Sequence, residues 1–420
     1  MVRWVAAGAL ALAATTRPAV ARAQGAASDL TGVTRADAVA AALAHGSRMA
    51  VARADTTLAR AGVMLARQFE NPAAGWSYTK AVPQQHYSLS IPIDLPWLRD
   101  VRIGSAEGAR AAAQHRYRFE RYAVAYDADT TYTRALSAVA RARLSRRTAH
   151  DADSLLALAR LRRDAGDGSE LDVQLAAVSA GQLANAAATD SLDAAQALLQ
   201  LQLLMGLPGD AVTVAPSDSL TMPPARDDGT PAGVGAAGAA GAAPLLVAAA
   251  QSDVVAAEQA LAFERRRFLA GAALSVGWDK GDPTGAEPGV LPTVGISLPL
   301  PLFNRNDALV LAAQSQAERA RAQLALARIQ TSAAITLARR TAASTVTRAE
   351  RSARLVANAD RVAALSLTAF SEGAAALPSV LVAQRTARET LAQYITDVAA
   401  ARNALGLLDL LTLTATGTNP

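Results

Sequence analysis

The sequence predicts a mainly α-helical protein with a transmembrane β-barrel portion, built as a two-fold repeat of helix, β-hairpin and long helix. Residues 87–95 and 294–302 carry the β prediction, because every second residue in both segments is apolar. Such alternation is typical of a strand with two different faces. The surrounding sequence is rich in alanine, and residues 97–207 contain no proline, as long helices require.

The first 23 residues are organised like a secretory signal peptide. Arg3 provides a basic start, an apolar stretch follows, and residues 21–23 (Ala-Arg-Ala) match an A-x-A cleavage motif. The alternative is a first transmembrane helix, but the apolar stretch is shorter than the roughly 20 residues that span a bilayer. We therefore expect an exported protein whose mature chain starts at Gln24.

Composition excludes several classes of protein. Three of the 41 basic residues lie in the signal peptide, which leaves 38 against 36 acidic residues. This near balance, without a basic stripe that alternates with aromatic residues, argues against nucleic acid as a partner. The chain has no cysteine, which excludes disulfides, thiolate metal sites and a lipidated N-terminal cysteine.

The chain divides into two similar halves joined by a linker. The predicted first repeat, residues 24–208, contains a helix, strands at 72–80 and 86–95, a long helix, a tip turn at 165–169 and a returning helix. The predicted second repeat, residues 245–407, contains a helix, strands at 271–280 and 291–302, a long helix, a tip turn at 373–376 and a returning helix. Residues 209–244 are rich in Gly, Ala and Pro and form the predicted linker, and 408–420 are a C-terminal tail.

Matching residues support the repeat. Gly75 and Trp76 match Gly277 and Trp278 at an offset of 202, whereas Pro92 matches Pro299, and Gly166 matches Gly373, at 207. A five-residue extension of the second hairpin loop explains the change of offset. Gly206 and Gly406 then align at 200, which predicts a second returning helix one heptad shorter than the first. The long helices, of about 65 residues, are each expected to span roughly 100 Å.

The strands imply several copies of the chain. In a bilayer every backbone polar group must be paired, so strands cross it only as a closed barrel. One chain offers four strands, and barrels begin at about eight. Three chains would supply twelve strands around a lumen. The alternative is two surface hairpins on a soluble helical protein.

The alternation assigns a face to each strand residue. The predicted lipid-facing residues of the two most regular strands are Tyr87, Leu89, Ile91, Ile93, Leu95, Val294, Ile296, Leu298, Leu300 and Leu302. Trp76, Tyr78, Leu274, Val276 and Trp278 are expected to share that face. Small or polar residues between them, such as Ser77, Ser88, Ser90, Ser275, Asp279 and Ser297, are expected to face the lumen.

The chain resembles TolC-type outer-membrane efflux proteins, as a non-lipidated member. The resemblance covers nearly the whole mature sequence. It rests on the repeat of helix, hairpin and long helix, on Ser-Ile-Pro-Ile (90–93) and Ser-Leu-Pro-Leu (297–300) before the long helices, and on a glycine followed seven residues later by valine at each tip. It implies a homotrimer with a twelve-stranded barrel in the outer membrane and an α-helical barrel in the periplasm. It also implies a periplasmic adaptor protein and an inner-membrane pump as partners.

The tips are the expected periplasmic gate. Gly166, Gly168 and Gly373 mark the turns, and the candidate gate residues are Asp164, Asp167, Glu170, Asp172 and Glu372. The family often carries inward acidic residues at the second tip, where this chain has Ser379 and Val382. Asp172, the counterpart of Ser379, is therefore a candidate for a carboxylate ring that attracts cations. Alternatively, these acids merely solvate a helix turn and favour adaptor contact.

No catalytic, cofactor or metal motif is present in the sequence. It lacks H-E-x-x-H, a phosphate loop, G-x-S-x-G and a dinucleotide fingerprint, and its four histidines are far apart. The predicted function is a passive exit duct in the outer membrane, without enzymatic activity and without a cofactor. The alternatives are a soluble periplasmic coiled-coil scaffold or adaptor, and a secreted hydrolase with an unrecognised site.

Overall fold

A computed structural model describes residues 30–222, 243–267, 270–281, 289–300 and 303–414. In chain order the elements are β1 (Thr31–Val33), α1 (Arg35–His45), α2 (Ser47–Arg67), β2 (Ala73–Tyr78), β3 (Gln85–Pro92), α3 (Pro96–Asp164), α4 (Glu170–Leu204), β4 (Val214–Pro216), α5 (Leu245–Arg266), β5 (Ala273–Lys280), β6 (Leu291–Ser297), α6 (Asp307–Ser371) and α7 (Leu377–Thr412). Helices dominate, so the mainly α-helical class is confirmed. The signal peptide, Gln24, most of the linker and Leu302 lie outside the described residues.

Two very long helices give the molecule its length. α3 has 69 residues and α6 has 65, so each extends about 100 Å at 1.5 Å per residue. Pro96 occupies the first turn of α3, where a missing N–H group costs nothing. Both helices end before a glycine with positive φ, 84° at Gly166 and 75° at Gly373. After each turn a shorter helix, α4 or α7, returns along its predecessor.

Small residues allow the helices to pack closely. α3 lies along α2, α4 and α5, while α6 lies along α5 and α7. A Cβ atom added to Gly108 of α3 would lie only 2.9 Å from the backbone nitrogen of Ala256 in α5. The contact face of α6 is buried at Ala313, Ala317 and Ala320. These contacts show how an alanine-rich sequence of low aromatic content builds its core.

α5 is the one described helix that is long and apolar enough to cross a membrane by length and composition. Two of its acidic residues pair with neighbouring helices. Asp253 forms an ion pair with Arg116 of α3, and Glu258 forms one with Arg321 of α6, at 2.7 Å. These ion pairs and the close approach at Ala256 hold α5 within the helical bundle.

The same arrangement of arginine, serine and aspartate connects α3 to α4 and α6 to α7. Asp190 of α4 accepts hydrogen bonds from Ser145 and Arg141 of α3. At an offset of 207 residues, Asp397 of α7 accepts from Ser352 Oγ at 2.5 Å and pairs with Arg348 Nε at 2.8 Å, both in α6. Gln393 donates a further hydrogen bond to Asp397. We call these the first and second Arg–Ser–Asp joints.

The four long strands form one antiparallel sheet in the order β2-β3-β5-β6. They are shorter than predicted, because β3 ends at Pro92 and β6 ends at Ser297. Trp76 pairs with Tyr87 in the first hairpin, but Trp278 pairs with Pro292 in the second. The counterpart of Tyr87 at an offset of 207 is Val294, so the second hairpin differs by two residues in register. The prediction that all five extra residues lengthen the second hairpin loop is therefore wrong in detail. Three of them lengthen the loop, and the other two shift the pairing of β6 with β5.

A second, small sheet was not predicted. β1 and β4 pair in parallel, and β4 lies in the segment assigned to the linker. They cover a core cluster that includes Tyr132 of α3 and Leu201 of α4. The hydroxyl of buried Tyr132 donates to the carbonyl oxygen of Val33 at 2.9 Å, which ties this sheet to the helices.

The predicted end of the second returning helix is wrong. α7 continues to Thr412 through the segment assigned to the tail. Gly206 has a φ of 78° and follows the end of α4, but Gly406 is an ordinary helical residue. A Cβ atom at Gly406 would lie 3.2 Å from Cδ2 of Tyr126, so this glycine serves close packing and not a turn. The alignment at an offset of 200 and the loss of a heptad therefore do not hold.

Candidate functional site

The register of the large sheet collects most of its large apolar side chains on one face. Directly paired residues share a face, so each row across the sheet is uniform in direction. The apolar rows are Trp76–Tyr87–Trp278–Pro292, Ala74–Leu89–Val276–Val294 and Ile91–Leu274–Ile296. The intervening rows are Ser77–His86–Asp279–Leu291, Gly75–Ser88–Gly277–Thr293 and Ala73–Ser90–Ser275–Gly295.

The apolar face is open in the single chain. Val294 is 76% exposed, Ile296 68% and Trp76 65%. Tyr87 and Trp278 stack with ring centroids 5.5 Å apart, and Trp278 is still nearly half exposed. A contiguous apolar surface of this kind is rare on a soluble monomer and indicates contact with a membrane or a partner.

The opposite face is polar and closely packed. His86 Nδ1 lies 2.9 Å from Asp279 Oδ1, and Thr79 Oγ1 lies 3.2 Å from His86 Nε2. Ser275 donates to the carbonyl oxygen of Gly295 at 3.1 Å. A Cβ atom at Gly277 would lie 2.5 Å from the carbonyl oxygen of Tyr87, so only glycine fits there. This face is suited to water.

Both edges of the sheet are open within the described residues. β2 pairs only with β3, and β6 pairs only with β5. An exposed edge strand presents unpaired N–H and C=O groups that readily accept another strand. The sheet is therefore suited to continue into further copies of itself.

The remaining predicted lipid-facing residues flank the strands. Ile93 follows β3, and its N–H group donates to the carbonyl oxygen of Ala272 at 2.8 Å. Leu95 is the N-cap residue of α3. Leu298 and Leu300 follow β6 and are 57% and 73% exposed. These positions extend the apolar face towards the helices.

An arginine cluster joins the sheet to the helices in the first half, and the sequence did not reveal it. Arg102 pairs with Asp94 at 2.8 Å and also donates to the carbonyl oxygen of Ala66 at 3.0 Å. Arg99 pairs with the same carboxylate and stacks over Phe69, with its guanidinium carbon 4.0 Å from the ring centre. The start of α3 is thereby fixed to the end of α2 and to the last residues before the helix.

The two tips close with the same backbone pattern. At the first tip Gly166 donates to the carbonyl oxygen of Arg163 at 2.9 Å, and Asp167 to that of Arg162 at 2.8 Å. At the second tip Gly373 donates to Phe370 at 3.0 Å, and Ala374 to Ala369 at 2.8 Å. Both turns are therefore built around a glycine in the left-handed region. Gly168 of the first tip packs closely on Arg162 and Arg163 and has no need of positive φ.

The acidic candidates cluster at the first tip. Arg163 bridges Asp164, at 2.7 Å, and Glu170, at 3.1 Å. Hydrogen bonds from Gln174 and then Arg163 hold the pKa of Glu170 below its ordinary value. Asp172 accepts a hydrogen bond from Ser169 Oγ at 2.7 Å in a capping box that starts α4. Asp167 and Glu372 are exposed on the two turns.

Contacts between the tips hold the two helix pairs together. Arg162 Nη1 donates to the carbonyl oxygen of Phe370 at 2.8 Å, and its guanidinium carbon lies 4.9 Å from the centre of the Phe370 ring. Val173 and Val380, the valines that follow the tip glycines, are buried in the cluster around Phe370. The tip is therefore a single packed unit within one chain.

No metal centre is formed by the described part of the chain. No group of three or more His, Cys, Asp or Glu side chains there could hold a metal ion. The polar joints and tips described above are held by ion pairs and hydrogen bonds within the chain. Their carboxylates accept hydrogen bonds from arginine, serine and glutamine.

The fold is similar to solved structures of bacterial membrane proteins. A membrane protein from Pseudomonas aeruginosa is 19% identical over 92% of this chain and 94% of its own, with a TM-score of 0.73. The outer membrane protein VceC of Vibrio cholerae is 16% identical over 90% and 96%, at 0.70. The outer membrane channel CmeC of Campylobacter jejuni is 13% identical over 91% and 87%, at 0.71. No protein-family profile and no curated protein matches the sequence.

These similarities extend over 90–92% of this chain and 87–96% of the matched chains. At 13–19% identity they show the fold of the single chain, which is similar to that of the outer membrane protein VceC and the outer membrane channel CmeC, as the resemblance predicted.

Proposed function

We propose that this chain is the protomer of a trimeric outer-membrane exit duct. The observation that carries the proposal is the sheet, which has one exposed apolar face, one polar face and two open edges. Three copies joined edge to edge supply twelve strands, enough to close a barrel around a water-filled lumen. The solved structures with this fold include proteins named as outer membrane channels, which supports the same location for this chain.

The helices support the same edge-to-edge assembly. α2 lies on the β2 side and packs on α3, whereas α6 lies on the β6 side and packs on α5 and α7. Val51, Leu58 and Leu65 of α2 are spaced by seven residues and are 62%, 73% and 70% exposed. This heptad stripe is unpartnered in the described chain, and exposed apolar residues in the part of α6 nearest the sheet, such as Leu311 and Leu326, would provide a surface for it in the next copy.

The duct is passive and carries no catalytic site. Its long helices would continue the lumen into the periplasm for about 100 Å. There a periplasmic adaptor would connect it to an inner-membrane pump, which supplies the energy. The tips would form the closed periplasmic end, with the carboxylates of the first tip as candidates for a ring.

Disulfide cross-linking tests the assembly, because the native chain contains no cysteine. Within the chain, His86 of β3 pairs with Asp279 of β5. If β6 pairs with β2 of the next copy in the same way, the repeat offsets of 207 and 202 would bring Thr293 opposite Ser77. Ser77→Cys with Thr293→Cys should therefore give covalent dimers and trimers on mild oxidation. Ser77→Cys with Val294→Cys is the matched control, since these residues lie on opposite faces.

Fractionation and conductance complete the test. Wild-type protein should partition with the outer membrane and, once purified, open water-filled pores in a planar bilayer. Fully soluble protein in detergent-free buffer, with no cross-linking in either variant, would contradict the channel and favour a soluble scaffold.

The gate is tested separately by Asp172→Asn. Asparagine still accepts the hydrogen bond from Ser169, so the substitution removes the charge and keeps the cap. If Asp172 contributes to the ring, the cation preference of the pore falls. Unchanged preference and conductance would remove Asp172 from the gate and leave it as a cap of α4.

A further inference from the structure

The only two lysines of the chain lie at one place. All other basic residues among the 41 are arginine, but Lys80 follows β2 and Lys280 ends β5. Both lie at the end of the sheet furthest from α3 and α6. Their side chains are exposed, and within the described residues neither forms an ion pair. Two ammonium groups at one end of the sheet, without an ion pair among the described residues, require an explanation beyond the overall charge of the protein.

The register places Lys280 on the rim of the apolar face, and Lys80 lies in the bend that follows β2 at the same end of the sheet. Lys280 pairs with Gln85, which pairs with Tyr78, and this row lies two residues beyond the Trp76–Tyr87–Trp278 row and on the same face. Lys80 follows Tyr78 by two residues. We call the two lysines and the four neighbouring aromatic residues the rim patch: Lys80, Lys280, Trp76, Tyr78, Tyr87 and Trp278. Asp279, the nearest acid along β5, points to the opposite face and binds His86, so it does not neutralise Lys280.

The chemistry of the rim patch matches that of a membrane interface. Tyrosine and tryptophan concentrate where hydrocarbon meets headgroups, and lysine places its stem in the apolar layer and its ammonium group in water. A compact, hydrated ammonium group is a good point-charge partner for phosphate. The neighbouring apolar rows would contact the acyl chains of the same lipid molecule.

We propose that the rim patch binds phosphate-bearing, negatively charged lipid headgroups at the outer end of the barrel. This inference rests on the membrane-spanning sheet proposed above. Three copies would place six lysines around the barrel at one depth. Because the charges lie outside the lumen, they would anchor the barrel in the bilayer and have little effect on the charge of the transported molecule.

Native mass spectrometry of the detergent-solubilised trimer tests this binding. Phosphatidylglycerol and phosphatidylcholine with identical acyl chains are the two probes. Wild type should bind the anionic lipid preferentially, and each lysine that is replaced should reduce that preference about fivefold. Lys80→Gln with Lys280→Gln should therefore nearly abolish it, whereas Lys80→Arg with Lys280→Arg should retain it.

Arg339→Gln with Arg340→Gln is the matched control, because it removes the same charge from an exposed part of α6. This control should bind the lipids as wild type does. Unchanged preference in the double lysine-to-glutamine variant, or equal loss in the arginine control, would overturn the proposal. If wild type forms no trimer, the channel proposal fails with it, whereas a trimer without lipid preference defeats the rim patch alone.

Discussion

The two halves of the chain contain the same Arg–Ser–Asp joint, but the joint is more deeply buried from solvent in the second half. The side chain of Asp190 in the first joint is 15% exposed, whereas that of Asp397 in the second is 1% exposed and has an additional donor, Gln393. The tips also differ, but here the first half is the more elaborate. The first tip has four acidic residues and a capping box, whereas the second tip has Glu372 and no capping box. The repeat thus preserves backbone geometry and positions of contact, while burial and charge are set separately in each half.

The largest effect is expected in the sheet. Ile91 and Leu298 are counterparts at an offset of 207, but Ile91 lies within β3 and Leu298 lies just after β6. Ile91→Arg would place a charge on the apolar face of a paired strand, at a cost of about 2–4 kcal/mol if it lies near the membrane midplane. Leu298→Arg should cost less, because its position is nearer the helices. The yield of trimer after detergent extraction measures both.

Ser90→Arg and Ser297→Arg are the controls, one residue away on the polar face. They should assemble better than either apolar variant, because the polar face would line the water-filled lumen of the proposed barrel. Equal loss of trimer from both sets would mean that the faces are assigned incorrectly.

The next prediction compares how much the two Arg–Ser–Asp joints contribute to stability. Asp397→Asn should lower stability by about 2 kcal/mol, because a buried carboxylate that binds three donors is lost, while Arg348 is left half exposed. Asp190→Asn should cost about 1 kcal/mol, because its joint is less buried. Thermal dissociation of the trimer in detergent ranks the variants. Asp193→Asn, an exposed neighbour, should behave as wild type, and an equal effect of both joints would contradict the ranking.

The capping box that starts α4 could be introduced by substitution at the start of α7, which lacks one. Ala376 and Ser379 occupy the places that Ser169 and Asp172 occupy in the first half, and Ala376 makes no side-chain cap. Ala376→Ser with Ser379→Asp should stabilise the start of α7 by about 1 kcal/mol. Slower amide hydrogen exchange in the first turn of α7 is the expected result. Exchange that is unchanged or faster would show that the second tip does not tolerate the box.

The smallest effect concerns pH at the first tip. The hydrogen bonds from Gln174 and Arg163 lower the pKa of Glu170, so this carboxylate should stay charged as pH falls through the ordinary glutamate range. Its charge is lost only when pH falls through the lowered pKa. In Gln174→Ala the cation preference of the pore should therefore begin to fall at higher pH than in wild type. Identical pH profiles would mean that Glu170 does not face the conducting path.

Periodicity explains what the sequence could predict. Alternating residues such as Tyr87, Leu89 and Ile91 show the face of a strand, and a register change of two residues leaves that face unaltered. The long helices followed from the absence of proline. β1 and β4 have three residues each and are too short to show a period. Gly206 and Gly406 look alike in sequence, and only backbone angles distinguish the turn from the packing contact.

The Arg–Ser–Asp joints and the arginine cluster at Asp94 depend on contacts between residues far apart in the chain. Arginine, serine and aspartate are common on exposed helix faces, so nothing in their local sequence separates Asp397 from a solvated acid. Their equal spacing of 207 residues was a signal that could have been used. A search for polar residues that recur at the repeat offset would have found Arg141, Ser145 and Asp190 with their counterparts.

The two-residue register difference between the hairpins has a consequence for the shape of the proposed barrel. In a closed barrel the stagger between neighbouring strands sets their tilt, and tilt with strand number sets the width. Two residues correspond to about 7 Å of slide along a strand. Six identical hairpins would distribute that slide evenly and give a round section. If two unlike hairpins alternate, the slide between strands is larger at every second contact between hairpins. The cross-section of the barrel should then have threefold and not sixfold symmetry.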